Sequence, residues 1–233
     1  MSIAYDGVLK RMREERLRLS LSQREVSRWV RMTQSNYSKV ELGLRRLSYH
    51  EIKYLCGSDV DIHYIYTAQK CSGKYMKFFE QCNYSELLTF VGIIYFIAAH
   101  RYRSQTTQQW KNILEKVNYV PMIERNYGDT NIFLILRHTV SFQQKKMANL
   151  LGIDVKKLRD LENGRSLPDS ELLSQLYELF QVPPAALLKD KKCMANEICV
   201  LLDLLDEENE MWVIDIIKKV HEKKVAVGGK EEI

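Results

Sequence analysis

One stretch of this chain occurs twice, and that repeat limits the folds open to it. Residues 142–164, FQQKKMANLLGIDVKKLRDLENG, align without a gap with the stretch that ends at Gly43. Gln144 matches Gln23, Met147 matches Val26, Ala148 matches Ser27 and Leu158 matches Tyr37. Leu161-Glu162 matches Val40-Glu41, and Gly164 matches Gly43. Every pair is 121 positions apart, as from Glu41 to Glu162. Each copy reads as two short helices with a tight joint. In the first copy Ser22 and Glu25 have capping-box spacing, in which a hydroxyl and a carboxylate satisfy orphan backbone N–H groups. A helix is predicted from Gln23 to about Val30, with Val26, Trp29 and Val30 inward. Thr33 caps a second helix from Gln34 to about Leu42, with Tyr37 and Val40 inward and Gly43 as a left-handed stop. Gln34, Ser35, Ser38 and Lys39 are left facing outward.

A short helix that exposes amides, hydroxyls and a cation at its N-terminal end suits the DNA major groove, where base edges offer donors and acceptors. On Ser22-Gln23, Val26, Met32-Thr33, Tyr37, Val40-Glu41 and Gly43, the stretch resembles the helix-turn-helix of the phage-repressor/Cro family, also called the XRE family. Ser27 fits the family's small mid-helix residue. Arg31 stands where the family has glycine in the joint, and the second copy has that glycine as Gly152.

The resemblance implies two five-helix modules. Around the first copy, residues 5–21 supply an opening helix with Leu9, Met12 and Leu17 inward and Arg11, Arg13, Arg16 and Arg18 in water. Ser48 caps a fourth helix with Ile52 and Leu55 inward and Gly57 ending it, and Asp61 to Tyr66 fits a fifth. In the second copy Pro168, Leu172, Leu176, Phe180, Val182 and Leu187-Leu188 resemble the family's fourth and fifth helices. The expected organisation is all-α: a DNA-binding module at 1–67, a helical middle region at 68–130, a second module at 131–190, a helical hairpin at 191–224, and a disordered tail at 225–233.

In the middle region short helical patterns occur at Lys74 to Cys82, at Ser85 to Arg101 with Ser85 as cap, and at Thr106 to Val117. Two readings stand for it: a packed spacer, or a dimerisation or sensing unit with Phe78, Phe79, Phe90, Tyr95 and Phe96 around a pocket. The hairpin carries one stripe of Ile198, Leu201, Leu202 and Leu205. Another is formed by Trp212, Val213, Ile216, Ile217 and Val220. It serves self-association or packs on its own chain.

Charge follows the modules. The chain carries a net +5, but residues 1–57 alone hold 12 Lys/Arg against 6 Asp/Glu. Phosphate neutralisation needs the charge there. Five cysteines lie in no paired spacing and no signal peptide is evident, which suggests reduced thiols and a cytoplasmic location. No histidine shares metal-ligand spacing with a cysteine or second histidine, so no zinc or other cofactor is expected. Leu87 to Ala99 is too short to span a bilayer, which takes about 20 residues. No nucleophile–base pair, paired carboxylates or phosphate-cradling glycine loop suggests an enzyme.

The resemblance assigns DNA contact to Gln23, Thr33, Gln34, Ser35, Asn36, Ser38 and Lys39, with Arg45 and Arg46 on phosphates. A second face would use Gln144, Lys145, Val155, Lys156, Lys157 and Arg159. There Asp160 takes the place of Lys39, so this copy is expected to be auxiliary. The implied function is a sequence-specific, repressor-like transcriptional regulator. Its partners would be operator DNA, a second copy of the chain, and a small-molecule or protein effector. The alternative is an antitoxin-type or adaptor protein that uses the same folds as docking scaffolds.

Overall fold

A computed structural model describes residues 3–105, 107–121 and 131–228. Among the described residues there is no strand, and no helix is long and apolar enough to cross a membrane. The first repeat unit comprises α1 (Ile3–Arg18), α2 (Gln23–Trp29), α3 (Gln34–Glu41), α4 (Tyr49–Cys56) and α5 (Ile62–Thr67). The middle region holds α6 (Met76–Phe79), α7 (Tyr84–Gln105) and α8 (Gln108–Lys116). The second unit comprises α9 (Ile132–Thr139), α10 (Gln144–Leu150), α11 (Val155–Glu162), α12 (Ser170–Phe180) and α13 (Pro184–Leu188). Two further helices follow, α14 (Lys191–Asp203) and α15 (Glu207–Gly228).

The repeat is written into the backbone. Left-handed residues recur at Ser20 and Ser141, Arg31 and Gly152, Gly43 and Gly164, and Ala68 and Lys189. Each of these pairs keeps the separation of Glu41 from Glu162. The N-cap of the second motif helix recurs as well, since Thr33 accepts from the Asn36 N–H and Asp154 from that of Lys157, whereas Gln143, the counterpart of Ser22, makes no side-chain cap bond. Short-range chemistry at the same offsets therefore starts and stops the helices in both copies.

The two units do not stand apart. Helices α1 and α5 pack on α12, and α5 also meets α13 and α14. The seam is polar at its centre. Ser170 donates its N–H to the Leu47 carbonyl at 3.0 Å, and its Oγ accepts from the Leu47 N–H at 3.1 Å. The same Oγ lies 2.5 Å from the Tyr5 hydroxyl, and Tyr49 donates to the Leu187 carbonyl at 3.2 Å.

Helix α14 ties the remainder together, touching α5, α6, α7, α13 and α15. Residues 193–202 are buried without a break, including Asn196 and Glu197, so this helix is covered on every side rather than along one stripe. Asn196 donates to Asp61, the cap of α5, at 3.1 Å. Glu197 Oε2 lies 3.3 Å from His63 Nδ1 with neither side chain exposed. Burial pushes the Glu197 carboxyl up to about 7, and burial holds His63 down to about 3. The contact is thus between a neutral imidazole and a reluctantly ionised acid, not an ion pair.

Several expectations need correction. Leu17 is 57 % exposed rather than inward. Arg16 is buried against Glu41, and Arg11 bonds the Ile65 carbonyl at 2.7 Å, so neither is an ordinary wet cation. The long helix is capped by Asn83, not Ser85: Asn83 Oδ1 accepts from the Glu86 N–H, and Glu86 Oε2 accepts from that of Asn83. The Lys74 to Cys82 pattern contains only the single turn Met76–Phe79. Phe79 and Phe90 are core, whereas Phe96 is 74 % exposed. The tail expected from Val225 begins as helix, since α15 runs to Gly228, and 229–233 lie outside the described residues. So do residues 122–130 of the expected middle region.

Candidate nucleic-acid interface

The candidate face is set by how α2 and α3 are joined and clamped. The Ser22–Glu25 capping box is complete, with Ser22 N–H on Glu25 Oε2 at 2.7 Å and Glu25 N–H on Ser22 Oγ at 3.2 Å. Val26 and Val30 are buried, and Trp29 packs at the core's edge. Helix α2 stops at Arg31, whose φ of 56° is the left-handed conformation that costs a side-chain-bearing residue about 1 kcal/mol. Its guanidinium lies 4.4 Å from the centre of the Tyr54 ring. That stacking contributes about 0.5–1 kcal/mol and offsets much of the strain. The second copy avoids the problem with Gly152, at φ 60°.

The far end of α3 is held by Glu41. Its carboxylate accepts from Arg16 Nε at 2.6 Å, Arg16 Nη2 at 3.1 Å and Gln23 Nε2 at 2.8 Å. Burial works to raise the Glu41 pKa, but the hydrogen bonds from Arg16 and Gln23 outweigh it and hold the carboxyl below its usual range. Burial also pushes the Tyr37 hydroxyl well up beside it. The second copy builds the same clamp, with Glu162 accepting from Arg137 Nε and from Gln144 Nε2 at 2.7 Å. Arg16 Nη1 also bonds the Leu21 carbonyl, as Arg137 Nη1 bonds that of Phe142. A three-residue network repeated atom for atom explains why these side chains recur in both stretches.

The clamp gives Gln23 and Gln144 a structural task, because an N–H of each amide is held by Glu41 of α3 or Glu162 of α11. Thr33, Gln34, Ser35 and Lys39 are exposed, and Asn36 and Ser38 are partly covered. Arg45 and Arg46 both form ion pairs within the molecule, although the Arg46 side chain is still 53 % exposed. Arg45 bonds Glu51 at 2.7 Å and Met32 Sδ at 3.0 Å. Arg46 pairs with Glu171 and lies 3.8 Å from Asp169, across the seam between the units. Further cations stand on α2, where Arg24 and Arg28, one turn apart, are exposed. Their spacing opposite Val26 and Val30 is the sequence signal for them.

On the second face Lys145, Lys156 and Arg159 are exposed, and Val155 is half-buried against the core. Lys157 reaches Asp169 at 3.4 Å, and Lys146 sits over the Phe142 ring at 3.7 Å. Near the first reading face, Leu42 and Leu44 are 67 % and 74 % exposed.

No protein-family model matches the chain, and neither the curated proteins nor the solved structures contain a significant match.

Proposed function

We propose that the protein is a sequence-specific DNA-binding transcriptional regulator, repressor-like in action, that lays α3 in the major groove. The observation that supports this most is the exposed row Thr33, Gln34, Ser35 and Lys39 on a helix fixed by the buried Arg16–Glu41–Gln23 clamp. A clamped helix presents these groups without paying their ordering entropy on binding. Gln34 matches adenine bidentately and Lys39 matches guanine, each contact worth about 1–3 kcal/mol of discrimination. Arg24 and Arg28 replace Arg45 and Arg46 as the cations available for phosphate. The second face is auxiliary, basic through Lys145, Lys156 and Arg159 but with Asp160 in the reading position. A palindromic operator requires a homodimer in this reading, since one chain carries one strong reading face.

The experiment is a mobility-shift titration of the purified chain against fragments from its own promoter region at about physiological salt. One fragment should be retained against excess competitor DNA, with affinity falling steeply as salt rises. Equal binding to all fragments would sink the proposal.

A second reading, a protein-docking adaptor, is favoured by the exposed Leu17, Leu42 and Leu44 on the same module. Gln34→Ala with Lys39→Ala separates the two readings. It weakens specific DNA binding by about 100-fold under the first and leaves the biological effect intact under the second.

A further inference from the structure

The sequence offered no metal-ligand spacing, yet the fold brings together three donors that lie outside both repeat units. Cys82 Sγ lies 3.8 Å from His221 Nδ1, and Glu86 Oε1 lies 3.1 Å from the same ring nitrogen. All three donor atoms lie within 4.8 Å of one another. A tetrahedral zinc ion, with sulfur at about 2.3 Å and nitrogen or oxygen at about 2.0–2.1 Å, separates neighbouring donors by roughly 3.3–3.6 Å. The observed spacing is already close to that.

The donors are also held. Glu86 is fixed by its other oxygen, Oε2, which accepts the Asn83 N–H at 2.8 Å in the cap of α7. The His221 imidazole stands edge-on to the Phe78 ring, centroids 5.4 Å apart. Without an ion the Cys82 thiol donates to the Phe78 carbonyl at 3.6 Å and His221 Nδ1 faces the Glu86 carboxylate. A cation between them uses all three at once.

We propose that Cys82, Glu86 and His221 form a three-ligand site for a thiophilic divalent metal, zinc above others, with a fourth position left to water. The His221 and Glu86 side chains are 17 % and 10 % exposed, so the site sits at the edge of the core and has access to solvent. On binding, the Cys82 S–H bond breaks, the proton passes to buffer, and the sulfur lone pair forms the metal bond. One thiolate and one carboxylate then neutralise the ion. The nearby cation is Lys191, whose Nζ is engaged by the Glu80 carbonyl. Cys82 and Glu86 stand at the start of α7, and His221 lies on α15. An ion here pins the C-terminal helix to the middle region. The inference does not depend on DNA binding.

The test is a cobalt(II) titration of the metal-depleted full-length chain, followed by displacement with zinc. One equivalent should bind, with a thiolate-to-cobalt charge-transfer band and the intense visible bands of tetrahedral cobalt. Cys82→Ser should lose the charge-transfer band, and His221→Ala should lose stoichiometric binding. Glu86→Gln keeps an oxygen for the Asn83 cap and should weaken binding while leaving the fold intact by circular dichroism. It decides the matter if either other variant fails to fold. Cys193→Ser is the control, because Cys56, Asp190 and Cys193 form a second close group. No saturable binding, a band that survives Cys82→Ser, or one that vanishes in Cys193→Ser would each overturn the assignment.

Discussion

The two repeat units share a skeleton and differ in what they do with it. Both stop their helices at the same left-handed positions and clamp their third helix with the same arginine, glutamine and glutamate. Beyond that they diverge. The first unit presents Gln34, Ser35 and Lys39 to solvent; the second presents Lys156 and Arg159, with Val155 half-buried. The second lends the start of its fourth helix, Ser170 and Glu171, to the seam, where Ser170 receives Leu47 and Glu171 receives Arg46. A duplicated fold keeps its buried polar network because breaking it is costly. Its exposed residues are free to change because each contributes little to stability.

The largest effect expected from testing that comparison is on the shared clamp. Glu41→Ala leaves the Arg16 cation buried without its partner, and Glu162→Ala does the same to Arg137. Each should cost about 3–5 kcal/mol in chemical denaturation. A large loss in one copy alone would show that the units are not energetically equivalent. For Glu41, held below its ordinary value of 4.5, the contribution is full above that pH. It is lost only as pH falls through the lower folded value.

Next in size is the difference between reading faces. Gln34→Ala with Lys39→Ala should weaken specific DNA binding by about 100-fold, two contacts' worth. Lys156→Ala with Arg159→Ala should cost less than about tenfold and should mainly flatten the salt dependence. Mobility-shift titrations at two salt concentrations check both. Equal losses would make the second copy a reader in its own right.

Comparable in size is the buried acid where α14 meets the first unit. Because Glu197 is raised to about 7, the folded state holds its proton more tightly than the unfolded chain, whose value is near 4.5. Its contribution is therefore greatest below 4.5 and is lost as pH rises through about 7. Glu197→Gln should leave stability at pH 5 nearly unchanged and raise it at pH 8 by on the order of 3 kcal/mol. His63 runs the other way: its contribution is full above 6.5 and is lost on acidification toward 3. Thermal melts across pH 4.5 to 8.5 separate the two.

The smallest effects lie in the joints. Gly152→Ala should cost about 1 kcal/mol, since the added methyl has space but φ is 60°. Arg31→Gly relieves similar strain yet gives up the stacking on Tyr54, so its net effect should stay within about 0.5 kcal/mol. A double-mutant cycle with Tyr54→Ala should recover a coupling of about 0.5–1 kcal/mol.

What the sequence by itself determined was whatever is settled within a few residues. Ser22 with Glu25, Thr33 and Ser48 cap their helices as their spacing predicts, and Gly43 and Gly164 stop theirs. Caps and stops depend on contacts three to five residues apart, so they can be read from the chain. The all-helical class and the repeat follow from them. Only the tertiary structure decided the fate of individual charges and of some leucines. Arg46 reads as an unpaired surface cation in the sequence, and only the fold brings Glu171 to it from 125 positions away. Arg16 looks like one more wet cation until Glu41 folds over it. Helix α14 reads as amphipathic until five neighbours cover it, and Glu197 titrates abnormally for that reason alone. Cys82, Glu86 and His221 carry no shared spacing, because α7 and α15 meet only through packing. Burial and long-range pairing depend on which surfaces meet, and local pattern does not encode that meeting.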